Sequence, residues 1–192
     1  MNVNAKKKIK IIALFGQSGS GKDTLAKYLT NNVFETHPII SCTTRPKRDY
    51  EKDGIDYHFL TEAEFTEKVL DTSMLEATSF RNWFYGTPIE SLDENKINIG
   101  VFNIQGIENL LKDDRLEVLP VFVACEDKLR LQRCLNRESN PDCEEICRRF
   151  LTDAQDFEDI PFKYHIFYNG AKIKPEWIVT DLARLGILSK VD

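Results

Sequence analysis

The densest chemistry in the chain lies in nine consecutive residues, Gly16-Gln17-Ser18-Gly19-Ser20-Gly21-Lys22-Asp23-Thr24. Gly16–Lys22 fill the first seven places of the phosphate-loop pattern G-x-x-x-x-G-K-[ST]. Glycines let the backbone curl until successive N–H groups point inward, and the helix that follows adds the positive end of its dipole. Lys22 then supplies one compact charge for the β- and γ-phosphates of a nucleoside triphosphate. ATP is the expected ligand, held by Gly16, Ser18, Gly19, Ser20, Gly21, Lys22, Asp23 and Thr24. Asp23 stands where most such loops place a hydroxyl on Mg²⁺, and Thr24 comes one place late. Mg²⁺ is therefore expected at Thr24, or at Asp23 through water. The plain alternative is an ordinary Gly/Ser turn. The position of the loop between an apolar run and a helical pattern counts against it.

A second phosphate-directed signal follows in Ser41–Phe59, SCTTRPKRDYEKDGIDYHF. Arg45 and Arg48 flank a proline-containing turn, so both guanidinium forks can converge on one dianionic phosphate. Tyr57 and Ser41 offer neutral hydroxyl donors, and Glu51 is placed to orient an arginine. Two arginines alone would read as a solvated charge run; an upstream phosphate cradle changes that balance.

The elements that must position these groups are those of one globular domain. The chain has 192 residues, with 42% hydrophobic and 30% charged, ordinary values for a chain with a proper core. A net charge of -5 excludes a global basic field, so phosphate must be caught locally and no nucleic-acid partner is expected. No apolar run is long enough for a bilayer. The basic start, MNVNAKKKIK, runs into IIALFG, which is too short for a secretory core and reads as the approach to a strand; Lys6–Lys8 read as solvated. Five cysteines without metal-type spacing imply free thiols in a reducing cytoplasm.

Ile9–Phe15 is a nearly continuous apolar run, as a strand covered on both faces requires. Helical spacing follows at Thr24–Leu29, and a short apolar stretch at Pro38–Cys42. Thr61 and Glu64 form a capping-box pair. Buried strands are expected at Ile97–Ile104, Val118–Ala124 and 164–169, with helices at Lys128–Asn136, Cys143–Phe157 and Pro175–Leu185. The stretch ESNPDCEE breaks the periodicity, as an exposed turn or a lid segment would. This alternation predicts an α/β, P-loop NTPase fold: a central parallel sheet flanked by helices.

The Ser41–Phe59 segment resembles the guanylate kinase family. Ser41, Arg45, Arg48, Glu51, Gly54, Asp56, Tyr57 and Phe59 match its S-x-x-T-R-x-x-R-x-x-E-x-x-G-x-D-Y-x-F pattern. LEATSFRNWFYGT is similar to the family's L-E-x-A…N-Y-Y-G-T, which puts Glu76, Tyr85 and Thr87 at substrate-binding positions. LQRCLNRE and EEICRRFLTDAQDF resemble the lid, with Arg133, Arg137 and Arg149 on its arginines. The resemblance implies transfer of the ATP γ-phosphoryl to GMP or dGMP. Arg133 and Arg137 would bind ATP, and Lys22, Arg137 and Arg149 would screen the moving group while Arg45 holds the attacking phosphate. It implies a core of residues 1–40, 93–132 and 150–192, an acceptor-nucleotide insertion at 41–92 and a lid at 133–149. The two anion sites are expected to face one cleft. Guanine's N1–H and 2-amino group suit a single carboxylate, Glu76, and its O6 suits the Thr87 hydroxyl.

Within GVFNIQG the family carries D-x-D-x-Q-G, but here Val101 and Asn103 fill the acidic places. Asn103 keeps one acceptor for a base amino group, whereas Val101 has nothing to offer a metal. With Asp23, these departures resemble ribose 1,5-bisphosphate phosphokinase, whose loop also reads GKD. Arg48, Glu51, Tyr57, Glu76 and Thr87 favour a nucleotide acceptor instead. A deoxynucleotide kinase of broader base range and a non-catalytic binding module are further alternatives; the intact phosphate loop argues against the last. The partners implied are small nucleotides, with no membrane partner, and the chain is expected to be a monomer or homodimer.

Overall fold

The computed structural model describes residues 7–49, 51–80, 82–137 and 139–189. Lys6 of the basic start, and residues 1–6 and 190–192 of the expected core, lie outside them. Five strands form the main sheet: β1 (Ile9–Phe15), β2 (Thr36–Pro38), β7 (Ile97–Val101), β8 (Leu116–Ala124) and β9 (His165–Tyr168). Their order is β2-β7-β1-β8-β9, and the sheet is parallel and flanked by helices. Ile11 through Phe15 are all buried, which is why β1 reads as unbroken apolar sequence. Among the described residues no helix is long and apolar enough to cross a membrane. The five cysteines are free thiols.

The chain divides into two compact units, one comprising the chain through Ala13 with Glu35–Leu119, the other Leu14–Phe34 with Pro120 onward. The first unit carries a second sheet that the alternation of elements does not announce. Its strands are β3 (Cys42–Thr43), β4 (His58–Phe59), β5 (Met74–Phe80) and β6 (Trp83–Pro88), in the order β4-β3-β6-β5. β6 runs antiparallel to both β5 and β3, and β3 runs parallel to β4. Asn82, at φ 64°, takes the left-handed conformation that tight hairpin turns require. Helix α2 (Glu62–Leu70) begins in the capping box expected of Thr61 and Glu64, and its buried Phe65 stacks on Phe84 with centroids 5.6 Å apart.

β7 ends at Val101, short of the expected Ile104, because Asn103 caps helix α3 (Ile104–Leu111) by accepting from the Gly106 amide. In the second unit, the loop Gly16–Gly21 leads into α1 (Lys22–Asn32), with Gly21 at φ 92° as N-cap. Helices α4 (Asp127–Leu135), α5 (Cys143–Asp156) and α6 (Trp177–Arg184) lie within one or two residues of their expected bounds. Phe15 packs against Phe122, Phe157, Phe162 and Tyr164, with centroids between 5.3 and 6.4 Å. This apolar base lies directly behind the start of the loop.

Candidate active site

In the second unit, the loop is held from outside so that its interior is left for a ligand. The Ser18 amide donates to Asp153 Oδ2 at 2.7 Å, and the Ser18 carbonyl accepts from Arg130 Nε at 2.9 Å. Asn169, at the end of β9, donates to the Ser20 carbonyl at 2.7 Å. Arg133 Nη1 lies 3.2 Å from the same carbonyl and 3.4 Å from that of Gly19. These carbonyls are engaged by side chains, the Ser20 amide donates to the Gln17 carbonyl at 3.2 Å, and the loop ends at the N-terminus of α1, where backbone N–H groups suit an anion. Gly21 has no room for a side chain: a Cβ would lie 2.4 Å from Asn169 Nδ2.

Lys22 Nζ reaches back to the Gln17 carbonyl at 3.4 Å. Burial pushes its pKa down, Asp23 and Asp153 act in the opposite direction, and Arg137 and Arg130 add to the depression. Arg137 therefore lies near enough to Lys22 to act on it electrically. Arg149 Nε pairs with Glu145 one turn earlier on α5, at 2.6 Å. Arg148, on the exposed side, takes the same carboxylate and helps hold the Glu145 pKa down at about 2. Asp23 and Thr24 are exposed on the first turn of α1.

Of the expected ATP contacts, the two loop serines are placed differently from the glycines and Lys22. The Ser18 amide is turned to a carboxylate, and its hydroxyl donates to Asp153 Oδ1 at 3.4 Å. Ser20 is fully buried, and its Oγ has no hydrogen-bond partner among the described residues.

In the first unit, Glu51 organises the arginines. Arg45 makes a two-pronged pair with it, Nη1–Oε2 at 3.0 Å and Nη2–Oε1 at 2.8 Å. The Arg48 amide adds a third bond at 2.9 Å, and Arg48 Nη1 lies 3.4 Å from Oε1. Burial alone would raise the Glu51 pKa, but these donors overcome it and hold it below the usual range. Arg45 also sits 5.6 Å from the ring centroids of both Tyr57 and Phe59. Tyr57 meets Tyr85 edge-on at 6.2 Å. The second sheet brings these groups together: Thr43 lies opposite Tyr85, and Tyr85 opposite Thr78. Ser41 is buried at the entry to β3, where its carbonyl accepts from His58.

Strand alternation puts Glu76 and Thr78 on one face of β5, both 8% exposed. Thr87, directly opposite on β6, donates to Glu76 Oε1 at 2.7 Å. Glu76 Oε2 accepts no hydrogen bond from the described residues, and a Cβ on Gly106 would come within 3.3 Å of it. Burial pushes the Glu76 pKa up to about 7, against the lowering effect of the Thr87 hydroxyl. Asn103 is engaged within the protein at both ends of its amide. Its Oδ1 caps α3 at 2.7 Å from the Gly106 amide, and its Nδ2 donates to Thr78 Oγ1 at 2.9 Å.

A family model for guanylate kinase matches residues 8–173. The chain belongs to the guanylate kinase family. The guanylate kinase of Helicobacter pylori is 31% identical over 178 residues, spanning 91% of this chain and 86% of that protein. The guanylate kinase of Malacoplasma penetrans is 37% identical over 150 residues, spanning 74% and 76%. The crystal structure of guanylate kinase from Anaplasma phagocytophilum shares the fold, with a TM-score of 0.67 at 22% identity, covering 96% of this chain and 89% of that one.

Beside the residues that carry the guanylate kinase resemblance, sequence reasoning passes over Arg130, Asp153, Asn169 and Thr78. Asp153 had a visible signal. It falls on the stripe Ile146, Phe150, Asp153 and Phe157, at helical spacing, where a lone carboxylate requires a buried partner. Asn169 and Thr78 carry no such mark.

Proposed function

We propose that this chain transfers the γ-phosphoryl group of ATP to GMP or dGMP. The observation that carries the reading is the buried Glu76–Thr87 pair on the sheet that also carries Tyr85, in a chain that keeps the phosphate loop and Lys22. A buried carboxylate with one oxygen still open is matched by a partner offering two adjacent donors, which guanine's N1–H and 2-amino group provide. Adenine would set a lone pair against it, at a cost of about 1–3 kcal/mol per unmatched group. Thr87 would turn its hydroxyl from Glu76 to the guanine O6. Ribose 1,5-bisphosphate has no use for such a pair.

The chemistry is positioning and charge neutralisation. An oxygen of the acceptor phosphate, already ionised at neutral pH, attacks the γ-phosphorus; the bond to the bridging oxygen breaks, and ADP leaves with the charge. No general base is required. Lys22, Arg137 and Arg149 screen the transferring group, with Arg133 supporting the loop and Arg137 serving the ATP phosphates. Arg45 and Arg48, pre-oriented by Glu51, hold the acceptor phosphate with help from Ser41, Tyr57 and Tyr85. Residues 41–92 act as the acceptor-nucleotide insertion and 133–149 as the lid, whose closure excludes water. The protein works in the cytoplasm on free nucleotides.

Mg²⁺ fits the residues present. Among the described residues no group of three or more His, Cys, Asp or Glu could hold a metal ion. Mg²⁺ on a nucleotide, however, needs only one or two protein oxygens beside the phosphates. Asp23 and Thr24, exposed on the first turn of α1, would hold it, and it would neutralise charge on the β- and γ-phosphates. Turnover that persists in excess chelator contradicts this.

The base-reading role is tested by Glu76→Ala. The ratio of kcat/KM for GMP to that for AMP falls by about 10²-fold or more. An unchanged ratio contradicts the assignment.

A further inference from the structure

Arg130 is among the most deeply buried large side chains of the protein, at 2% exposure, yet no step of phosphoryl transfer calls on it. Every edge of its guanidinium is engaged. Nε donates to the Ser18 carbonyl at 2.9 Å, Nη2 to Asp153 Oδ2 at 2.9 Å and Nη1 to Asp127 Oδ1 at 2.5 Å. The ring of Phe150 lies 4.4 Å from its centre. Asp153, 3% exposed, returns to the same residue by accepting from the Ser18 amide at 2.7 Å. One buried ion pair thus grips both polar groups of a single residue in the loop, from α4 on one side and α5 on the other. The backbone of Arg130 presses on the next residue as well, since a Cβ on Gly19 would lie 2.5 Å from the Arg130 carbonyl oxygen.

Such a pair is a poor device for stability alone. Removing two charges from water costs more than most such pairs return, and apolar residues of similar volume often do as well. A flat, fork-shaped cation and a two-oxygen anion do, however, fix the direction of a peptide plane in a way that apolar packing cannot. The two peptides that meet at Ser18 lead into the rest of the loop, so their orientation sets where the amides of Gly19, Gly21 and Lys22 point. Asp153 also lies one turn beyond Arg149 on α5. The arginine proposed to screen the moving phosphoryl therefore shares a helix with the anchor of the cradle.

We propose that Arg130 and Asp153 are positioning residues for the ATP phosphates, fixing the phosphate loop through Ser18 and tying α5 to it. The pair touches neither the acceptor nucleotide nor the reacting atoms in this reading, so its loss weakens ATP and ADP binding and leaves GMP binding alone. The proposal rests on the kinase reading only for its kinetic consequences; binding of ATP to the loop is measured without turnover.

The test uses Arg130→Lys, which keeps the charge but cannot serve Ser18 and Asp153 together, and the double variant Arg130→Met/Asp153→Leu, which keeps the volume. ATP affinity is measured by titration calorimetry without acceptor, beside thermal unfolding, KM for ATP and GMP, and amide exchange of the peptide covering residues 16–22. The expected result is a loss of ATP affinity of about tenfold in Arg130→Lys and more in the double variant. KM for GMP stays within about twofold and exchange in the loop quickens, because Ser18 loses its anchors. ATP affinity equal to that of the unaltered protein in Arg130→Lys overturns the proposal, as does a loss in parallel for both substrates. Arg130→Lys decides alone if the double variant does not fold. An unaltered protein that binds ATP but transfers nothing to GMP sinks the functional reading, while the calorimetric comparison still decides this one.

Discussion

Glu76 is a carboxylate that its surroundings resist ionising: burial pushes its pKa up to about 7, and the Thr87 hydroxyl offsets only part of that. An unfolded glutamate titrates near 4.3, so the folded protein holds this proton more tightly. The stability linked to Glu76 is therefore complete below the unfolded value and is lost as pH rises through about 7. Only the ionised form accepts two donors from guanine, so the proton and GMP compete. KM for GMP should rise as pH falls from 8 to 6, approaching about tenfold per unit at the acid end, while KM for ATP changes little. Glu76→Gln should keep only the part due to GMP's own phosphate, whose second pKa is about 6. A profile identical in the two proteins contradicts the role given to Glu76. At this scale residue type and spacing made the pairing of Glu51 with Arg45 and Arg48 legible. At Asn103 the sequence did not show that one side chain serves as helix cap and strand partner at once. No linear pattern distinguishes that from a ligand contact.

In the proposed reading ATP binding depends on the loop between β1 and α1, and a glycine within it differs from one outside it. Gly19, at φ 76°, has the Arg130 carbonyl 2.5 Å from where a Cβ would stand. Gly54, at φ 71°, has nothing within 4 Å. Gly19→Ala should therefore deform the cradle and weaken ATP binding by tenfold or more, whereas Gly54→Ala meets backbone strain alone, on the order of 1 kcal/mol. Calorimetric ATP titration and thermal unfolding of both variants check this; equal ATP affinities contradict the account of the loop. Long periodic elements were readable: β1 occupies its expected Ile9–Phe15, and α5 begins at its expected Cys143. The second sheet was not. β3 and β4 are two residues each, too short for any alternation to register, and their pairing is imposed by distant strands. What holds the loop was equally hidden, because Arg130, Asp153 and Asn169 act from elements well separated from it in sequence.

For the molecule as a whole, a net charge of -5 means that phosphate capture rests on local clusters, one set of cations around the phosphate loop and another around Glu51. The parallel sheet, the order of its elements and the family match over residues 8–173 agree on a nucleotide kinase scaffold. In the proposed reading substrate choice falls to the small sheet carrying Glu76, Thr87 and Tyr85. With Val101 and Asn103 at the two places where the family resemblance expects acids, the proposed reading leaves guanine recognition to the Glu76 carboxylate. The most direct test is ADP release from ATP, with Mg²⁺, across GMP, dGMP, AMP, CMP, UMP, dTMP and ribose 1,5-bisphosphate. The account predicts turnover with GMP or dGMP at a kcat/KM at least about 10²-fold above that for any other acceptor. Turnover favouring ribose 1,5-bisphosphate or AMP, or no acceptor-dependent ADP release at all, would contradict it.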